Sequence, residues 1–311
     1  MVKKRVITQA STAVTIGKLK LANPVMVASG TWGEEYAELM DASRLGAVVA
    51  KTITLKPRSG NPPPRVAETP AGMLNAIGLE NPGVEAFLAE KLPALETCGA
   101  PVIVSIAGED EGELAELARR LRRASALEIN LSCPNVKHGK RVGLIAQDAD
   151  AVRACVAAVR KATGQTLIAK LAPNVTDIAA IAQAAESAGA DAILISNTFQ
   201  AMAVDITTRR PLLGNVTGGL SGPAIRPMVL KMVWDTVRRV EIPVIGCGGI
   251  MDSDDAVSFL LCGASAVQVG TANFVDPAAP EEIATGIARY LDQHKLSSIE
   301  KLIGQLRTDA L

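Results

Sequence analysis

Aromatic side chains are scarce in this chain: Phe, Tyr and Trp together make up 3% of 311 residues. With 48% hydrophobic residues a sizeable core is still expected, built from Ala, Val, Ile and Leu. An excess of either charge is also missing, with 32 basic and 32 acidic residues. That balance gives no overall electrostatic case for a nucleic acid or an anionic membrane. No apolar run is long enough to span a bilayer, and the basic residues 1–5 lead into Thr, Gln and Ser rather than an apolar segment. Neither a membrane anchor nor a signal peptide is expected. Histidine is limited to His138 and His294, which excludes a multi-histidine metal site within one chain. The five cysteines (Cys98, Cys133, Cys155, Cys247 and Cys262) are scattered, with no CxxC pair. This fits a reduced, cytoplasmic protein and argues against an iron–sulfur cluster bound by this chain alone.

What the chain does have is alternation. Apolar runs at 24–29, 47–51, 101–106, 127–131, 166–171, 191–196, 242–246 and 264–269 read as buried strands. Helical spacing fills the gaps. Residues 34–45 put Tyr36, Leu39 and Met40 on one face, and 84–97 end before Gly99. Helices are also expected over 111–123 and over 148–163, where Val152, Cys155, Val156 and Val159 face inward. Thr176 is expected to cap the next, another carries Ile225, Met228, Val229, Met232 and Val233, and Asp252 or Ser253 caps a short one before 281–291. Continuously apolar strands alternating with helices indicate a closed (β/α)8 TIM barrel, as one domain over 1–311; a doubly wound sheet is the alternative. Two long connections, 56–82 and 197–222, follow the second and sixth strands. They show no hydrophobic periodicity and read as rim insertions.

In such a barrel, functional groups sit at the carboxyl ends of the strands. Ser29, Lys51, Thr52, Asn130, Cys133, Lys170, Asn197, Thr198, the turn Gly246-Cys247-Gly248-Gly249 and Gly270-Thr271 all fall there. Glycine turns after the seventh and eighth strands suit a phosphate, because backbone N–H groups reach an anion unobstructed. No GxGxxG opens a helix after an early strand, so a nicotinamide site is not expected. A lysine at the inner end of an apolar strand needs an anion, or a group becoming one. Asn75, Asn130 and Asn197 each offer a donor and an acceptor, which suits a flat ring of alternating C=O and N–H. Cys133 lies between a strand end and a polar loop in NLSCPN. A lone cysteine is often a small buried hydrophobe. At this rim it is also the one obvious proton acceptor, and a nearby lysine and loop N–H groups favour its thiolate. A thiol–imidazole pair would have to use His138, which reads more simply as a solvated loop residue.

The run INLSCPNVKHG resembles class 1B dihydroorotate dehydrogenase, together with KTITLKPRSGNPPPR, NAIGLENPG, NTFQAMAVD, GGLSGPAIRP, GCGGI and VQVGT in the same order. The resemblance implies an FMN-containing barrel that oxidises dihydroorotate to orotate in pyrimidine synthesis. It implies Cys133 as the base at C5, with hydride leaving C6 for the flavin. Substrate would be held by Lys51, Asn75, Ala76, Ile77, Gly78, Leu79, Asn130, Asn197 and Thr198. FMN would be held by Ser29, Lys51, Thr52, Asn130, Lys170, Ser196, Gly222, Gly248, Gly249, Gly270 and Thr271. A partner subunit carrying FAD and a 2Fe–2S cluster would pass electrons to NAD, in an assembly with two of each subunit. One departure is Ser105, where related sequences often carry asparagine near the flavin. The competing readings are another FMN barrel acting on a pyrimidine, such as the pyrimidine-reducing domain of dihydropyrimidine dehydrogenase, a class 1A enzyme using fumarate, a phosphate-binding aldolase or isomerase with a Lys170 Schiff base, and a non-catalytic scaffold.

Overall fold

The computed structural model describes residues 10–36, 38–131 and 145–308. Eight short strands form its centre: β1 Val25–Val27, β2 Val48–Ile53, β3 Val102–Ile106, β4 Ala126–Asn130, β5 Thr166–Leu171, β6 Ala192–Ile195, β7 Val244–Cys247 and β8 Ala266–Val269. They lie side by side in a parallel sheet, running from β1 through β8, β7, β6, β5, β4 and β3 to β2. The ring closes between β1 and β2. There Met26 bridges Ala47, and the Gly46 N–H donates to the Val25 carbonyl at 2.8 Å. The expected (β/α)8 barrel is therefore the fold. Its strands are covered on both faces, which is why they read as unbroken apolar runs. Only Lys51 and Asn130 among the strand residues are not fully buried.

Helices Glu111–Arg120, Ala149–Ala162, Ile178–Ser187, Arg226–Val237, Ser253–Leu261 and Ala279–Gln293 pack outside. Aspartates start four of them: Asp110, Asp148, Asp177 and Asp252 each accept a hydrogen bond from a backbone N–H in the first turn. The cap expected at Thr176 is thus one residue later, at Asp177. Cys155 is core, as its helical spacing suggests. Burial, with the nearby carboxylates of Glu111 and Asp110, pushes its thiol up to about 12.

Two helices differ from the sequence expectation. In place of one helix over 34–45 there are two single 3-10 turns, Glu34–Tyr36 and Ala42–Arg44. Asp41 starts the second by accepting from the Ser43 N–H and hydroxyl, a local bond that competes with helix propagation. Of the expected apolar face only Met40 is buried; Tyr36 and Leu39 are exposed. The segment after β2 is helical over 83–95, but it widens to a π-turn at Phe87–Lys91. Pro93 follows that turn, and a proline cannot donate to the carbonyl four residues back.

The N-terminal segment adds an unexpected hairpin, Val14–Ile16 paired with Leu19–Leu21. It closes the far end of the barrel: Ile16 and Leu21 are buried, and the Lys18 N–H donates to Thr166 Oγ1 at the start of β5. The two rim insertions also have structure of their own. Val66–Thr69 and Gly72–Asn75 form a hairpin from the first, Phe199–Ala201 and Gly218–Ser221 a pair from the second. Gly72–Asn75 pairs with Gly218–Ser221, so both insertions share one four-stranded antiparallel sheet. Leu74, Ala76 and Leu213 form its small core. Among the described residues, no helix is long and apolar enough to cross a membrane.

The closure seam gives a stability prediction. A Cβ at Gly46 would lie 2.1 Å from the Asn23 carbonyl oxygen, a backbone atom that cannot turn aside. Gly46→Ala is expected to lower stability by about 1–3 kcal/mol, in the range of overpacking, as read from urea unfolding. An unchanged midpoint would show that the seam carries no strain.

Candidate active site

The mouth at the carboxyl ends of the strands holds a cleft of about 440 Å³ roofed by the insertion sheet. That size is ordinary for a small-molecule site. Ser29 hydrogen-bonds back to the Ala50 carbonyl at 2.9 Å and lies 3.2 Å from Thr52 Oγ1. Lys51 and Thr52 are consecutive, yet both line the cleft. A regular strand sends neighbouring side chains to opposite faces. Here the β2–β3 register slips between Ala50 and Ile53, a bulge that turns both toward the opening. Ser105, fully buried on β3, does not line the cleft; its hydroxyl sits 2.9 Å from Thr52 Oγ1 and supports that residue from behind.

On the opposite wall Asn130 ends β4 in register with Lys170 on β5. The Asn197 amide donates to Asn130 Oδ1 at 3.3 Å, and Asn197 Oδ1 accepts from the Thr198 N–H at 2.8 Å. Ser196 is held by the Cys247 carbonyl at 3.0 Å and Asn197 by the Leu171 carbonyl at 2.9 Å. Asn75 reaches across the insertion sheet to the Gly219 carbonyl at 3.4 Å. The run from Asn75 to Leu79 lines the outer side, tied down by the Asn61 amide, which donates to the Ala76 carbonyl at 3.0 Å. Gly248, Gly249, Gly270 and Thr271 border the cleft at the ends of β7 and β8, where Thr271 donates to Ser221 Oγ at 2.7 Å.

The cleft therefore brings together nearly all residues singled out in the sequence. Among the described ones Gly246 and Ser105 do not line it, and neither does Gly222. Gly222 stands behind the wall, packed on Gly72, and its carbonyl blocks any Cβ at Gly249. Ser132, Cys133 and His138 lie outside the described residues. Sequence reasoning passes over Asn61, Asn174, Asn215, Gln200 and Ser221, which all line the cleft. Their one signal is position, inside the long insertions or just after β5.

The electrostatic character is one-sided. Among the described lining residues there are two lysines, Lys51 and Lys170, and no carboxylate. Six asparagines line it as well: Asn61, Asn75, Asn130, Asn174, Asn197 and Asn215. Burial lowers the Lys51 pKa and the charge of Lys170 adds to this, while Glu80 opposes it. Burial also works against a charged Lys170, but the attraction of Glu128, with less from Cys247, outweighs it and raises the pKa. Burial holds the Cys247 thiol above its ordinary range. The arrangement can hold a planar amide ring together with anionic groups, and stabilise negative charge that develops beside Lys170.

A family model described as dihydroorotate dehydrogenase matches residues 11–291. The chain belongs to the dihydroorotate dehydrogenase family. Its curated relatives include proteins named dihydroorotate dehydrogenase B (NAD(+)), catalytic subunit. That of Trichlorobacter lovleyi is 54% identical over 94% of this chain and 98% of the relative. That of Desulforudis audaxviator is 53% identical over 95% and 97%, and that of Geotalea daltonii 51% over 95% and 98%. Matches of such length cover the barrel and both insertions.

A substitution in the insertion sheet tests whether that roof belongs to the site. A Cβ at Gly219 would lie 2.0 Å from Thr198 Oγ1, so Gly219→Ala must displace Thr198. Misplacement on the ångström scale costs roughly 10²-fold, and a fall of that order in kcat/KM is expected. An unchanged kcat/KM would show that Thr198 has no part in the reaction.

Proposed function

We propose that this chain oxidises dihydroorotate to orotate in pyrimidine synthesis, using FMN, as the catalytic subunit of an NAD-linked enzyme in the cytoplasm. The observation that carries the reading is the cleft itself: two lysines, six asparagines and no carboxylate among its described lining residues, in a chain of this family. Orotate is a flat ring of alternating C=O and N–H with one carboxylate, its dihydro form keeps the same planar amide part with C5 and C6 tetrahedral, and FMN carries a phosphate and a ring that gains negative charge on reduction. The donor set fits both.

FMN, when bound, supplies the acceptor for the hydride from C6. Everything else falls to the chain. Lys51, in the bulge, pairs with the substrate carboxylate. Asn75, Asn130 and Asn197, with Thr198, hold the ring amides, and the Ala76-Ile77-Gly78-Leu79 backbone closes over them. The backbone of Gly248, Gly249, Gly270 and Thr271 suits the phosphate, with Gly222 supporting Gly249 from behind. Ser29, Thr52 and Ser196 would hold the flavin, and the Lys170 ammonium would stabilise the negative charge that its ring gains on reduction. Cys133, carried by the resemblance alone, takes the C5 proton. A second subunit with FAD and a 2Fe–2S cluster, two of each subunit in the assembly, receives the electrons; the words "catalytic subunit" and "NAD(+)" in the relatives' names support a further subunit and NAD as acceptor, and the resemblance alone carries the FAD, the cluster and the stoichiometry.

The direct test is an anaerobic visible spectrum of the purified chain before and after dihydroorotate. A yellow flavin band that bleaches is expected. A yellow protein that fails to bleach moves the substrate to another ring, and a colourless one that cannot be reconstituted with FMN returns the aldolase or isomerase reading.

The base assignment has its own test. Cys133→Ser should retain FMN and slow flavin reduction by roughly 10²–10⁴-fold, as for the loss of a general base. The residual rate should rise with pH, since a serine hydroxyl is a far weaker acid than a thiol near ~8.5. Wild-type flavin reduction by Cys133→Ala would refute the role.

A further inference from the structure

Among the described residues of the eight strands Glu128 is the only carboxylate, and no role assigned so far uses it. It sits on β4, fully buried, two residues before Asn130. Its Oε2 accepts a 2.7 Å hydrogen bond from Gln268 Nε2 on β8, across the barrel. Among the described residues its Oε1 has no hydrogen-bond partner, and it lies 3.6 Å from Lys170 Nζ. Stability alone does not account for such a pair, because well-packed apolar side chains serve a core as well as or better than buried ions. Its location offers a different reason. Lys170 lines the cleft while Glu128 does not, so the pair spans the barrel core and the cleft floor.

We infer that Glu128 is a positioning residue: anchored by Gln268, its carboxylate fixes the place and the charge of the Lys170 ammonium at the floor of the cleft. The consequence for flavin rests on the proposed function; the effect on Lys170 does not. Lys170 is faced by Glu128 from β4, by Cys247 from β7 and by the like charge of Lys51 from β2. Burial keeps Cys247 a neutral thiol near neutral pH. Glu128 is then the group in this set that most favours a charged lysine. Without it, burial and Lys51 lose their main opponent, and isolated buried lysines fall as low as about 5–6.

Glu128→Gln preserves the shape and removes the charge. The first measurement is a pH titration of the Lys170 side chain by NMR in the full chain with isotope-labelled lysine, without FMN, the signal being assigned by its loss in Lys170→Met. Lys170 of Glu128→Gln should titrate at clearly lower pH than Lys170 of the wild type, as expected for a buried lysine that loses its counter-charge. The second is the pH dependence of the affinities for reduced and oxidised FMN. Below its titration point the variant holds an unpaired cation and should prefer reduced, anionic flavin more than the wild type does. Above that point the cation is gone, and the preference should drop roughly tenfold or more. A residue that merely filled space would move neither curve.

If Glu128→Gln does not fold, Glu128→Asp retreats the carboxylate by one methylene and should lower the titration point by a smaller amount. Lys170 titrating as in the wild type in the folded variant overturns the inference. A chain that binds no FMN overturns the functional reading instead, while the titration still decides the role of Glu128.

Discussion

Closing eight parallel strands into a ring brings all their carboxyl ends to one mouth, and each polar side chain of the cleft depends on that closure. Lys51, Asn130 and Lys170 sit on strands whose other residues pack into the core or against the outer helices. Packing fixes their backbone, so the groups they present need little ordering when a ligand arrives. The seam itself is thin: one bridge and one hydrogen bond join β1 to β2. The bulge that turns both Lys51 and Thr52 into the cleft lies farther along β2, where its pairing with β3 slips. At that point the strand yields regular pairing for a pair of neighbouring functional side chains.

The second constraint is charge. A cleft with two lysines and no carboxylate among its described lining residues attracts anions, but its lysines are in different positions. Lys51 is half-buried, and among the described residues no carboxylate is within ion-pair distance of it. In the proposed function its partner is the substrate carboxylate. Lys170 already has Glu128 at 3.6 Å in the barrel core, and the attraction of that carboxylate favours its charged form. One cation is thus free to recognise a fixed anion, and the other is available where charge appears only during reaction.

The eight strands were legible because each is short, apolar and bounded by turn residues, and because burial on both faces leaves no alternation to misread. The rim residues followed from that frame, since placing a strand end places what comes next. What was hidden depends on pairing between distant residues. Neither insertion has periodicity of its own, because Gly72–Asn75 finds its partner at Gly218–Ser221, more than a hundred residues later. The Glu128–Gln268 bond joins two strands across the barrel, and each residue alone reads as a polar break in an apolar run. The stretch 34–45 failed for the opposite reason: Asp41 makes a bond two residues away that no apolar spacing reveals.

The shared insertion sheet also explains why Thr198 and Asn75 belong to one surface. The sequence separates them by more than a hundred residues, but Asn75 pairs with Gly219 and Gly219 presses on Thr198. Thr198 requires the glycine, because it fills the space that the missing Cβ leaves, and the carbonyl of the same residue accepts from Asn75. The roof of the cleft is thereby tied to the end of β6, and the walls that Asn75 and Thr198 form cannot shift independently. A rigid roof of this kind favours a flat, preorganised slot, which is the shape a planar amide ring needs if it is to be held by several asparagines together.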